Sequence, residues 1–241
     1  MSALLPLVVP SVVPVTELYC DVLQGEGPSV GKFCSFIRFT GCHRECNWCD
    51  SSHTWKKGQI VTKKMNLVEI REFLEKGKAR LLVLTGGEPL LHQDKAYFMD
   101  ILDWYTRGWE FEIETEGTFL PSDKIKEMVD AGLVRINCSP KLSHAGMGNL
   151  SSEYMKSLPE IVKLPGSILK FVVRNGDDVE EALKLCEQVK AENEQIYLMP
   201  EGVTTEEQLK KLPLVYDLAI EYGVNFTPRL HVLRWDSKKG V

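Results

Sequence analysis

Three of the chain's seven cysteines fall within the ten residues GCHRECNWCD (41–50). Cys42, Cys46 and Cys49 form C-x3-C-x2-C, and thiolates this close can surround one metal centre without help from distant chain. Two chemistries fit that spacing. A structural zinc would complete its tetrahedron with His43, Asp50 or His53. An iron–sulfur cube held by three thiolates instead leaves one iron without a protein ligand, and an open iron is a site for chemistry. Spacing alone leaves both open. Structural zinc usually draws on paired knuckles, and the chain has no second C-x2-C, which favours the cube.

Other stretches carry candidate chemistry. TGGEPLL (85–91) combines two glycines, which permit a tight turn or a close approach, with a proline that stops any continuation. Leu23, Gln24 and Gly25 open the glycine-rich stretch LQGEG, where an amide side chain could read a polar ligand edge or simply be solvated. Arg38 interrupts a segment otherwise made of apolar or small residues. Such an arginine usually points outward or satisfies a nearby carboxylate. Thr85, the triplet Ser139-Pro140-Lys141 and ETEGT (114–118) put small polar groups next to strand-like segments. Trp48 and Asp50 flank the third cysteine.

The elements that must position these residues alternate. FCSFIRFTGC reads as a strand ending at glycine, and NLVEIREFLEKG as a helix with Leu67, Ile70, Phe73 and Leu74 on one face. RLLVLT (80–85) is a continuous apolar run, typical of a parallel strand buried on both faces. The spacing then predicts helix 96–108, strand 110–115, helix 122–131, strand 134–140, a short helix near 151–157, strand 168–174, helix 177–193, strand 196–200, helix 204–222 and a last segment 225–233. Successive βα units imply parallel strands with right-handed crossovers. The fold class expected is therefore α/β: one domain built as a βα barrel, complete or open. In such barrels working residues sit at strand C-terminal ends. The cysteine loop, TGGEPLL, ETEGT and SPK each follow one of four successive strands.

In that order and spacing, the cysteine motif and GGEP resemble the radical S-adenosylmethionine superfamily. LQGEGPSVGKFCSFIRFTGC, CDSSHTW, ETEGT, SPK, LKFVV and TPRLHVLRW further resemble its 7-carboxy-7-deazaguanine synthase family, over Thr16 to Trp235. The resemblance implies a partial, open βα barrel of the radical SAM type. It implies one [4Fe-4S] cluster on Cys42, Cys46 and Cys49, with S-adenosylmethionine on the open iron and against Trp48, Asp50, Gly87, Ser139, Pro140 and Lys141. It also implies Mg2+ on Ser51, where the family often has threonine. The implied substrate is 6-carboxy-5,6,7,8-tetrahydropterin, against Leu23, Gln24, Gly25, Arg38 and Thr85. A 5′-deoxyadenosyl radical would take hydrogen from its C6, and ring contraction with loss of ammonia would give a deazapurine precursor of queuosine. A flavodoxin or ferredoxin as reductant and a homodimer are further family expectations. The tail WDSKKGV departs from members that end on a pocket-forming proline, so no C-terminal contact is expected, although Arg229 and His231 lie near enough in sequence to approach. A glycyl-radical-enzyme activase shares the cysteine spacing and size. A zinc-binding interaction module is the reading from another class.

Composition sets the limits. A net charge of −5 over 241 residues gives no basic footprint for nucleic acid. The N-terminal MSALLPLVVPSVVPV is apolar but lacks a basic start and carries Pro6, Pro10 and Pro14, and no apolar run reaches membrane-spanning length. Residues 1–15 are expected as an arm on the body or on a partner subunit, and 16–241 as the domain. An odd, scattered cysteine set points to a reducing cytoplasm rather than a disulfide framework.

Overall fold

β1 runs from Val12 to Leu23, with Val13 and Val15 adding apolar residues ahead of TELYCDVL. It returns through the LQGEG loop into the antiparallel β2 (Phe33–Phe39). A short β3 (Lys63–Asn66) pairs with the start of β1. Asn66 then caps α1 (Leu67–Glu75): its side chain accepts from the Glu69 N–H while Glu69 accepts from the Asn66 N–H. That reciprocal cap satisfies two donors the first turn would leave free.

The computed structural model describes residues 12–238. From β2 onward each strand lies parallel to its neighbour: β4 (Leu81–Gly86), β5 (Glu110–Thr115), β6 (Val134–Cys138), β7 (Ile168–Val173), β8 (Ile196–Pro200) and the two-residue β9 (Asn225–Phe226). The crossovers carry α2 (Ala96–Leu102), α3 (Asp123–Asp130), the single turns α4 (Ser151–Tyr154) and α5 (Leu158–Ile161), α6 (Gly176–Val189) and α7 (Thr205–Tyr222), and α8 (Leu230–Trp235) follows β9. Strand order is β3-β1-β2-β4-β5-β6-β7-β8-β9, and β3 does not meet β9. The sheet is thus the open partial barrel expected, with one antiparallel strand inserted at its edge.

The core lies between sheet and helices. Ile37, Leu82, Leu84, Ile113, Ile136, Phe171 and Leu198 are fully buried, each stabilising the fold by about 1.5–3 kcal/mol through removal of apolar surface from water. All six residues of β7 are buried, Lys170 among them. The lysine in this otherwise apolar strand matters below.

Three expectations change. The arm expected over 1–15 gives up Val12–Val15, which pair with Asn66–Lys63; Val13 and Val15 are in the core, and residues 1–11 lie outside the described residues. Phe73, expected on the buried face of α1, is exposed, while Ile70 and Leu74 are buried. The apolar stripe of a nine-residue helix is narrower here than its four candidates. Finally, the segment after Phe226 forms α8, which leads the chain back across the C-terminal end of the barrel.

Candidate active site

One cavity of about 520 Å³ opens at the C-terminal ends of the parallel strands, within the range of small-molecule sites. The loop after β2 brings Cys42, Cys46, Trp48, Cys49, Asp50 and Ser51 to it, β4 brings Thr85 and Gly87, and the loop after β6 brings Ser139 and Lys141. Leu23, Gln24 and Gly25 at the end of β1 and Arg38 on β2 complete the wall. Of the residues expected to hold the cluster, S-adenosylmethionine, Mg2+ or the pterin, Pro140 alone does not line it.

All seven cysteines are free thiols. Burial pushes the Cys42 thiol up to about 12 and raises that of Cys46 as well. Loading a metal centre therefore displaces protons from these groups. Among the described residues no three His, Cys, Asp or Glu side chains converge on a single-ion site. The donor set suits a cube, which takes three soft thiolates at separate corners, better than one ion. The loop is held rigidly. The Gly41 N–H donates to Thr54 O at 2.9 Å, the Glu88 N–H to Gly41 O at 2.8 Å and the Gly87 N–H to Phe39 O at 3.2 Å. A Cβ on Gly87 would stand 2.0 Å from Gly41 O and 2.8 Å from Cys42 Cβ, so only glycine fits where the GGE turn meets the cysteine loop.

Glu88 and Glu116 brace this junction with opposite electrostatics. Glu88 is fully buried and accepts from Leu90 N, Thr115 Oγ1 and Glu116 N at 2.8–2.9 Å. Burial, reinforced by the Glu116 charge, lifts its pKa to about 7 despite those bonds. For Glu116 burial acts upward too. Hydrogen bonds from His43 and Thr118 and the Arg44 guanidinium outweigh it and hold the carboxyl at about 2. Arg44, inside the cysteine motif, also pairs with Glu153 at 2.9 Å. The TGGEP glutamate is thus a support for the loop.

The second half of the cavity is a chain of charges. Arg38 donates through Nε to Glu17 Oε2 at 2.6 Å and through Nη1 to Ser51 Oγ at 3.0 Å, and Ser51 donates to Asp50 Oδ1 at 2.8 Å. Burial would raise Asp50; Arg229 and Arg38 outweigh it and hold it at about 2. Arg229 reaches three groups: Asp50 Oδ2, Glu26 Oε1 at 2.8 Å and Gly202 O at 2.8 Å. Glu26 also meets Lys170 Nζ at 2.5 Å, and against the effect of burial Lys170, Arg229 and His231 hold it well below the usual carboxylate range. Glu114 is raised by burial and by repulsion from Glu26 and Glu112.

Several side chains read from sequence as ligand contacts are bonded within the protein. Gln24 Nε2 donates to Glu112 at 2.9 Å and Glu114 at 3.1 Å, while its Oε1 accepts from Gly25 N at 2.8 Å. Thr85 Oγ1 donates to Glu114 at 2.8 Å and Lys141 Nζ to Ser139 Oγ at 3.1 Å. Glu26, Lys170, Arg229 and His231 were not among the expected contacts, and all four line the cavity. A lysine inside ILKFVV and a glutamate inside LQGEG were the available signals.

The family model described as "Radical SAM superfamily" matches residues 36–209. A 7-carboxy-7-deazaguanine synthase of Pyrobaculum aerophilum is 33% identical, over 95% of this chain and 97% of its own. One of Halobacterium salinarum is 32% identical, over 92% and 90%. Among solved structures, QueE from Escherichia coli shares the fold with a TM-score of 0.62 at 24% identity, covering 90% of this chain and 93% of its own. Streptococcus suis SuiB bound to its precursor peptide SuiA shares it more distantly, with a TM-score of 0.56 at 10% identity over 80% of this chain and 47% of SuiB. The chain belongs to the radical S-adenosylmethionine superfamily and, within it, to the 7-carboxy-7-deazaguanine synthases.

Proposed function

We propose that this enzyme converts 6-carboxy-5,6,7,8-tetrahydropterin to 7-carboxy-7-deazaguanine with loss of ammonia, a step towards queuosine. One observation carries the reading: three free thiols in C-x3-C-x2-C share a single cavity with Arg38 and the Glu26–Lys170–Arg229 ion pairs. The first set suits a [4Fe-4S] cluster on Cys42, Cys46 and Cys49. The second suits a polar, carboxylated heterocycle. The three thiols would hold the cluster, which with S-adenosylmethionine would supply radical hydrogen abstraction at substrate C6.

The chain's own residues position and shield. Trp48, Asp50, Gly87, Ser139 and Lys141 surround the S-adenosylmethionine region, and Pro140 stiffens the turn that carries two of them. Arg38 offers Nη2 to the substrate carboxylate, since Glu17 occupies its Nε and Ser51 its Nη1. Gln24 and Thr85 face the substrate from the cavity wall and also fix Glu114, while Leu23 and Gly25 shape the rim. Ser51 is the protein ligand for Mg2+. Its oxygen adjoins Asp50, whose negative charge favours a cation, and Mg2+ commonly takes few protein ligands; Arg38 Nη1 donates to that oxygen and leaves its second lone pair for the ion. A flavodoxin or ferredoxin supplies the electron, the enzyme is a homodimer, and a reducing cytoplasm keeps its thiols free.

The test is substrate carrying deuterium at C6. Transfer of deuterium into 5′-deoxyadenosine is expected; 5′-deoxyadenosine formed without label would contradict abstraction at C6.

A further inference from the structure

Trp48 lies between the second and third cysteines, and its indole is fixed from outside its own loop. The Nε1–H donates to His144 Nδ1 at 2.9 Å, and His144 Nε2 lies 2.9 Å from Val172 O on β7. An indole N–H only donates and a carbonyl only accepts. The two bonds therefore set the imidazole tautomer, with the lone pair on Nδ1 and the hydrogen on Nε2. The His144 side chain is 2% exposed, so bulk water does not compete for either bond.

The segment carrying His144 holds the same stretch a second time. The Asn47 N–H donates to Ala145 O at 3.0 Å. Gly146, at φ +90°, approaches so closely that a Cβ would stand 2.1 Å from Asn47 Nδ2. On the cavity side Lys141 Nζ lies 5.5 Å from the Trp48 ring centroid, adding a cation–π contact. The indole is thus pinned through its N–H by His144 and through a ring by Lys141.

We propose that His144 is a positioning residue for S-adenosylmethionine. It locks Trp48 so that the CNWC backbone and the indole present one fixed surface to the cofactor. This rests on the reading that Trp48 borders that cofactor. Among the described hydrogen bonds none joins His144 to Cys42, Cys46 or Cys49.

The experiment measures S-adenosylmethionine affinity on cluster-loaded protein, together with iron and sulfide per chain and KM for the pterin. His144→Phe, which keeps a flat ring but no acceptor, weakens S-adenosylmethionine by about tenfold, the worth of one buried hydrogen bond. Iron content and pterin KM stay unchanged. His144→Gln, which retains an acceptor and a donor on one planar group, recovers most of the affinity. In a Trp48→Phe background, where the N–H is already gone, adding His144→Phe changes affinity less than about twofold. Unchanged affinity in His144→Phe, a parallel loss of iron, or full additivity with Trp48→Phe would each overturn the proposal. Wild-type protein that carries its cluster yet binds no S-adenosylmethionine would instead overturn the functional reading beneath it.

Discussion

Gly87 meets Gly41 backbone to backbone: a Cβ on Gly87 would lie 2.0 Å from the Gly41 carbonyl oxygen. The contact joins the loop after β4 to the loop that carries the cysteines, so neither can shift alone. Gly87→Ala must push the cysteine loop away. Turnover is expected to fall about a hundredfold, the scale for displacing reacting groups by an ångström, with iron per chain reduced as well. Iron analysis and a turnover assay check this; normal iron and activity would mean the loop tolerates the displacement.

Replacing Cys42, Cys46 or Cys49 singly by serine should abolish the brown iron–sulfur absorbance on reconstitution. Cys186, buried against the core, is the control: Cys186→Ala keeps full absorbance and loses stability only modestly. Optical spectra with iron and sulfide analysis distinguish the two groups. A stable cluster in any of the three serine variants would contradict the ligand set.

Arg229 bonds Asp50, Glu26 and Gly202 at once. Arg229→Leu leaves Asp50 without its direct ion pair and Glu26 with Lys170 alone; because Asp50 is half-exposed and Glu26 keeps a cation, the expected cost is about 1–2 kcal/mol of stability. Arg229→Lys recovers little, because one ammonium cannot reproduce the forked donors that reach three acceptors. Chemical denaturation of the metal-free variants gives both values.

Glu88 makes stability pH-dependent in a defined direction. Its folded-state pKa, about 7, lies above the ordinary 4.5. Its contribution is therefore complete below pH 4.5 and disappears as pH rises through 7. Glu116 and Asp50, both held at about 2, contribute above their ordinary pKa values and lose that only in acid, outside this window. Between pH 5 and pH 8, Glu88→Gln should thus gain on wild type by at most roughly 3 kcal/mol. The comparison uses urea unfolding of metal-free protein at both pH values. A difference that stays constant, or moves the other way, would contradict the assignment.

Much of this site was legible because its signals are local. Cys42, Cys46 and Cys49 stand within one loop, GGEP directly follows an unmistakable buried strand, and alternating apolar runs mark each βα unit. What was not legible depends on the closure of the sheet. Glu26, Asp50, Glu114, Lys170 and Arg229 are far apart in the chain and meet only because parallel strands deliver their C-terminal ends to one mouth; no spacing rule records such convergence. The partners of Gln24 were hidden for a related reason: Glu112 and Glu114, about ninety positions away, meet its amide only in the folded sheet. β3 escaped because two of its four residues are lysines, which hide an edge strand from any hydrophobic pattern.

The central claim is tested most directly by anaerobic turnover of the reconstituted enzyme with dithionite, S-adenosylmethionine, Mg2+ and 6-carboxy-5,6,7,8-tetrahydropterin, with products read by mass spectrometry. The account predicts 7-carboxy-7-deazaguanine together with ammonia. Formation of 5′-deoxyadenosine without 7-carboxy-7-deazaguanine, from protein carrying a full cluster, would contradict the substrate assignment.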